Sequence, residues 1–86
     1  MAGDKFDFTV ASSLVQAVES AASTLDVKNG QMEQKFGSLR AGFKDSGYDA
    51  FAVDMSAANN AVKEVIKQMH VVAKHISEYA EKLRDV

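Results

Sequence analysis

Two histidines and one column of carboxylates are the residues of this 86-residue chain that could support chemistry. His70 and His75 are five residues apart, so on a helix their side chains point about 140° away from each other. Two ligands in that arrangement cannot share a metal ion. We therefore interpret both histidines as surface groups.

The carboxylates Glu19, Asp26 and Glu33 recur every seven residues, which places them on one face of a helix. No histidine, lysine or apolar wall accompanies them in the pattern, so a solvated face explains them better than an acidic site. The serines lack a nucleophile-elbow sequence, and the chain has no cysteine. We expect no enzymatic activity, no cofactor, no metal and no small-molecule ligand.

Composition narrows the class of partner. With 47% hydrophobic and 26% charged residues, the chain has the composition of a folded soluble protein. Its net charge of −2 argues against nucleic acid, because there is no excess of positive charge to neutralise phosphates. No apolar run approaches the ~18 residues of a membrane span. These features leave a protein as the expected partner.

The second half of the chain carries the strongest periodic pattern. Apolar residues alternate at steps of three and four, which predicts one long helix with a heptad seam. The seam residues are Tyr48, Phe51, Met55, Ala58, Val62, Val65, Met69, Val72, Ile76, Tyr79 and Leu83.

A further apolar column adjoins this seam and widens the stripe beyond what a two-stranded seam needs. It predicts a partner interface in which small alanines allow close approach and Ile66 is the central anchor. We expect Ile66→Asp to abolish pairing and leave helical content largely intact. The predicted interface residues are Ala52, Met55, Ile66, Met69, Ala73 and Ala80.

The first half repeats the pattern less regularly. Its seam is predicted from Leu14, Val18, Ala21, Leu25, Met32, Phe36, Leu39 and Phe43. If Asn29 fills the gap, two successive steps of four form a stutter at Asn29-Gly30. One bent helix is the favoured interpretation, and a break that gives three helices is the alternative, since Asn-Gly is a strong turn signal.

Turn-forming residues separate the two halves at Gly42-Phe43-Lys44-Asp45-Ser46-Gly47. We therefore predict helix 1 at about 9–41, a turn at about 42–46 and helix 2 at about 47–84, within one domain over 1–86. Two long helices joined by so short a connection run antiparallel. The predicted fold class is all-α, an antiparallel two-helix hairpin that pairs into a four-helix bundle, because so small a core needs a partner.

The layout resembles the WXG (ESAT-6-like) family of small helical-hairpin proteins of type VII secretion, over essentially the whole chain. In that family a Trp-x-Gly motif occupies the turn and a Phe follows in helix 2. Here Phe43 stands at the tryptophan position, Asp45 at the glycine position, and Phe51 at the later aromatic, with Gly47 between them. The family's export signal, a Tyr followed four residues later by Asp or Glu, is absent, since Leu83 follows Tyr79 at that spacing.

The resemblance implies a non-catalytic substrate or targeting partner of a bacterial type VII system, forming a homodimer or heterodimer. The partner would be a second copy, a related hairpin, or the N-terminal helical region of an LXG toxin. The protein would be cytoplasmic before export and secreted without a cleavable signal peptide. The alternative is an intracellular helical adaptor or structural dimer unrelated to secretion.

Overall fold

The protein is an antiparallel pair of long helices. A computed structural model describes residues 6–42 and 46–84. Helix α1 spans Phe8–Gly42 and helix α2 spans Ser46–Arg84. Contacts between Asn29 and Asn59 and between Glu19 and His70 show that α2 runs back along α1. The predicted helical hairpin is confirmed.

The hairpin is a rod. At 1.5 Å per residue, the 35 residues of α1 and the 39 of α2 make helices of about 52 and 58 Å. The radius of gyration is 19.4 Å, whereas a compact domain of this length has about 12 Å. Neither helix in the described part of the chain is long and apolar enough to cross a membrane.

Asp7 caps the start of α1. Its Oδ1 accepts a hydrogen bond from the Val10 backbone N–H at 3.0 Å, and its carbonyl oxygen accepts one from the Ala11 N–H. These bonds satisfy donors that the first helical turn leaves without an intrahelical acceptor. The carboxylate also carries negative charge at the positive end of the helix dipole.

Helix α1 continues through Asn29 and Gly30 without a break, so the three-helix alternative is wrong. Gly30 is exposed, and a Cβ built there would meet nothing within 4 Å. Its helix-weakening effect is therefore a backbone effect of about 1 kcal/mol, which packing of the remaining residues of α1 outweighs.

The seam of α1 is more regular than the predicted one. The residues that face α2 lie at alternating steps of four and three, and the stutter disappears because Ala22, not Ala21, occupies the seam. Leu14 and Leu39, predicted to face inward, are instead exposed. The inward residues are Ala11, Val15, Val18, Ala22, Leu25, Asn29, Met32 and Phe36.

In α2 the apolar column through Ile66, predicted to bind a partner, faces α1, and the column through Val65, predicted to face α1, is exposed. Ile66 is 9% exposed and Ala73 is 1% exposed, so the column assigned to a partner is covered by α1. Phe51, Val65 and Tyr79, predicted to lie in the seam, are exposed. The inward set, at alternating steps of four and three, is Tyr48, Ala52, Met55, Asn59, Val62, Ile66, Met69, Ala73, Ile76, Ala80 and Leu83; Val71, outside these steps, is also half-buried.

Polar contacts between the helices explain why the column through Ile66, and not the column through Val65, faces α1. With Asn59 in the seam, its amide meets that of Asn29, and the carboxylates of α1 lie beside basic residues of α2. The predicted seam would have placed Ala58 opposite Asn29 and left that amide buried without a partner, which is costly.

Candidate functional site

One side of the hairpin is lined by polar residues of both helices. His70 Nδ1 lies 2.8 Å from Glu19 Oε2, and because a carboxylate only accepts, the imidazole N–H donates. Lys63 Nζ lies 3.9 Å from Glu33 Oε1. We name this side the polar flank, and its members are Ser12, Glu19, Asp26 and Glu33 of α1 with Ser56, Lys63, His70 and Ser77 of α2.

The structure brings two residues of α2 to the carboxylate column, His70 to Glu19 and Lys63 to Glu33, which the sequence pattern did not indicate. Glu19, Asp26 and Glu33 are exposed, as are His70 and His75. No group of three or more metal-ligating side chains occurs among the described residues. The carboxylate column supplies one hydrogen bond between the helices, Glu19 to His70, and one ion pair, Glu33 to Lys63.

The opposite side of the hairpin is apolar along α2 and at Leu14 and Ala21 of α1. Five residues of α2 occur there at steps of seven. Leu14 and Ala21 of α1 lie on the same side, because each directly precedes an inward residue, whereas the carboxylates each directly follow one. We name this side the apolar flank, and its members are Leu14, Ala21, Phe51, Ala58, Val65, Val72 and Tyr79.

The large members of the apolar flank are about half exposed. Phe51, Val65, Val72 and Tyr79 are between 48% and 54% exposed. A shallow groove of ≈ 370 Å³ lies at the middle of the flank, lined by Val18, Glu64, Val65, Gln68, Met69 and Val72. An exposed apolar stripe along a rod is the usual mark of a protein-binding surface.

Aromatic rings hold the open end of the hairpin together. The Phe6 ring packs edge-to-face against Tyr79 with centroids 5.4 Å apart, and against Phe8 at 5.0 Å. The Arg84 guanidinium lies over the Phe8 ring at 5.2 Å. These contacts tie the start of α1 to the end of α2 and build an aromatic end to the apolar flank.

The predicted turn motif is only partly described. Phe43 and Asp45 lie outside the described residues. Gly47 is exposed in the first turn of α2, and Phe51 belongs to the apolar flank. The Phe51 ring packs edge-to-face against Tyr48 at 6.2 Å, and Tyr48 stacks on Phe36 at 5.2 Å. Phe51 is therefore anchored on one side and open to a partner on the other.

The six residues predicted as a partner interface all face α1. Ile66 and Ala73 are buried, and Ala52, Met55, Met69 and Ala80 are half-buried. Phe51, Val65, Val72 and Tyr79 stand in the predicted seam, so the sequence pattern did not indicate that they form an outward surface. Their spacing of seven or fourteen residues, which places them on one face of the helix, is the signal that could have grouped them.

No family model, curated protein or solved structure matches this chain.

Proposed function

We propose that this chain is a non-catalytic protein-binding module that pairs with another helical hairpin along its apolar flank to form a four-helix bundle. The observation that carries the proposal is the outward column of Phe51, Val65, Val72 and Tyr79. Covering that column would remove apolar side chains from water at about 25 cal/mol per Å² of buried area.

The surface area of the single chain supports a partner. The chain exposes 6631 Å². A compact protein of 9.3 kDa exposes about 5,000 Å². The excess of about 1,600 Å² is twice the ~800 Å² that each partner contributes to an interface of standard size.

The core of the single chain is correspondingly thin. Among the described residues, the buried hydrophobic side chains are Ala11, Ala22, Tyr48, Ile66 and Ala73, and no large side chain is fully buried. Chains of this size usually need additional stabilisation beyond such a core. A second hairpin on the apolar flank would supply it.

The order of residues on the flank suits a second copy. The column of α2 has an aromatic residue at each end, Phe51 and Tyr79, and Val65 at its centre. A two-fold axis through Val65, perpendicular to the rod, would bring Tyr79 of one copy to Phe51 of the other. Such a self-complementary patch is what a symmetric dimer requires.

The positions of the charged residues at the start of the chain and along α1 are consistent with the same two-fold axis. Continuing the seven-residue steps of Leu14 and Ala21 leads to Asp7 at one end and to Lys28 and Lys35 at the other. An axis near Ala21 places Asp7 beside Lys35 of the second copy. Opposite charges therefore meet at both ends of the paired helices, which favours this alignment over one that gathers the lysines at one end.

The more specific proposal is that the module is a WXG-like substrate or targeting partner of a type VII secretion system. It is supported by the position of the aromatic residues Phe43 and Phe51 around the turn and by the hairpin layout of the whole chain. A related hairpin or the helical N-terminal region of an LXG toxin would bind the same flank.

Pairing is tested with charges on the apolar flank. Val65→Asp with Val72→Asp should lower the mass measured by light scattering from that of a pair to that of one chain. Far-UV circular dichroism should stay helical, because both side chains point away from the seam. Ser77→Asp, on the polar flank, is the control and should leave the mass unchanged.

A variant that pairs as well as the unmodified chain, or an unmodified chain that binds neither itself nor a hairpin encoded beside it, would overturn the proposal. Secretion is tested separately in the native host. Export should stop when the type VII ATPase gene is deleted, and unchanged export or strictly intracellular protein would favour the adaptor alternative.

A further inference from the structure

A polar layer interrupts the apolar seam between the two helices. Asn29 is 4% exposed and is the only polar residue that is buried among the described residues. Its Nδ2 donates to Asn59 Oδ1 at 2.6 Å across the seam. The layer therefore joins α1 to α2 through side chains that point at each other.

The layer extends outward on the polar flank. Asn29 Nδ2 also donates to Glu33 Oε1 at 3.4 Å, and Lys63 Nζ lies 3.9 Å from the same oxygen. Each helix thus contributes an asparagine and, four residues later, a charged residue. The cluster is built from matched positions on both helices.

This cluster is not arranged for maximum stability. Asn29 Oδ1 is buried and has no hydrogen-bond partner among the described residues. A polar atom in that state is unfavourable compared with a well-packed apolar side chain. The asparagines therefore need an explanation other than stability.

The explanation lies in where the two asparagines stand. Asn29 is 13 residues before the end of α1, and Asn59 is 13 residues after the start of α2. They meet because the helices fold back on each other at the turn. Two copies could instead pair the same helix antiparallel with full overlap. In a pair of α2 helices, Asn59 would then face Ala73. In a pair of α1 helices, Asn29 would face Ala22.

We infer that Asn29 and Asn59 specify the alignment of α1 with α2, by making other antiparallel pairings bury an amide against an apolar side chain. A buried asparagine that pairs only in one alignment is a known means of fixing helix register. The flanking Glu33 and Lys63 add opposite charges that match in the same alignment.

The test is the double variant Asn29→Leu with Asn59→Leu. It should melt about 5 °C or more above the unmodified chain, because an apolar pair replaces a polar layer with an unpaired oxygen. It should also lose its single alignment. The control is Asn60→Leu, the same substitution one position away at an exposed site, which should change neither property.

Alignment is measured with spin labels, since the chain has no native cysteine. Ser13→Cys and Glu78→Cys place labels on exposed positions at the same end of the rod. Labelled chains are diluted in excess unlabelled chain, so that only distances within one chain are seen. The aligned hairpin gives one distance of about 20–30 Å, and an opened chain separates the labels by up to about 100 Å.

We expect every molecule of the unmodified chain to give the short distance. In the double variant, a fraction of the molecules should give longer distances, and light scattering should show additional oligomeric masses. A double variant that keeps the single short distance, or that melts below the unmodified chain, would overturn the inference.

Discussion

Asn29 Nδ2 donates a hydrogen bond of 2.6 Å to Asn59 Oδ1 across the seam of the hairpin, at equal distances from the turn. The contact forms only when the column of α2 that contains Asn59 and Ile66 faces α1. In that arrangement the apolar flank lies on the outside of the hairpin.

Removal of one member of this pair should destabilise the hairpin. Asn59→Ala leaves the buried Asn29 amide without its acceptor, at a cost of about 1–3 kcal/mol in the free energy of unfolding. Urea titration followed by circular dichroism measures the loss. Asn60→Ala is the control, and equal midpoints for the two variants would contradict the importance of the contact.

Ile66→Asp should unfold the hairpin, which corrects the expectation that it would only prevent pairing. Ile66 is buried against α1, and an unpaired charge there costs about 3–5 kcal/mol. Helical content at micromolar concentration should fall. The neighbouring Val65→Asp is the comparison, because it should keep its helices and lose only its partner. If Ile66→Asp also keeps its helices, the column through Ile66 does not form the core of the hairpin.

Gly30→Ala should stabilise the protein by about 1 kcal/mol, since alanine is the better helix former and its Cβ would meet nothing within 4 Å. The gain is expected as a rise of about 4–8 °C in melting temperature for a chain of this size. Gly37→Ala has the same open surroundings and should behave alike. A loss of stability in both variants would show that α1 needs flexibility at these positions.

The alignment of two copies is testable with one label per chain. Glu64 lies near the middle of α2, and Glu78 lies toward its end. If the copies pair with opposite ends together, labels at Glu78→Cys should be about 40 Å apart along the rod, and labels at Glu64→Cys should lie at the same level. Short distances at both positions would instead show that like ends pair.

Much of the fold could be predicted from the residues alone. Apolar residues at steps of three and four predict two long helices, and Gly42 and Gly47 mark the turn between them. These features are local, because each depends on residues within a few turns of one helix. The observed helices begin and end within one residue of the predicted limits.

The polar layer was harder to predict, because Asn59 alone looks like a member of a solvated face. Only the presence of Asn29 at the matching distance from the turn gives it an inward partner. That relationship joins residues 30 positions apart, which a pattern within one helix does not contain.

The sequence by itself determined two amphipathic helices, their lengths and their antiparallel order. It also determined two adjacent apolar columns on α2, one through Ile66 and one through Val65. The tertiary structure alone decided which column faces α1, because the choice depends on how Asn29 and the carboxylates of α1 are satisfied across the seam. A helix carries both columns equally well until a second helix is placed against it.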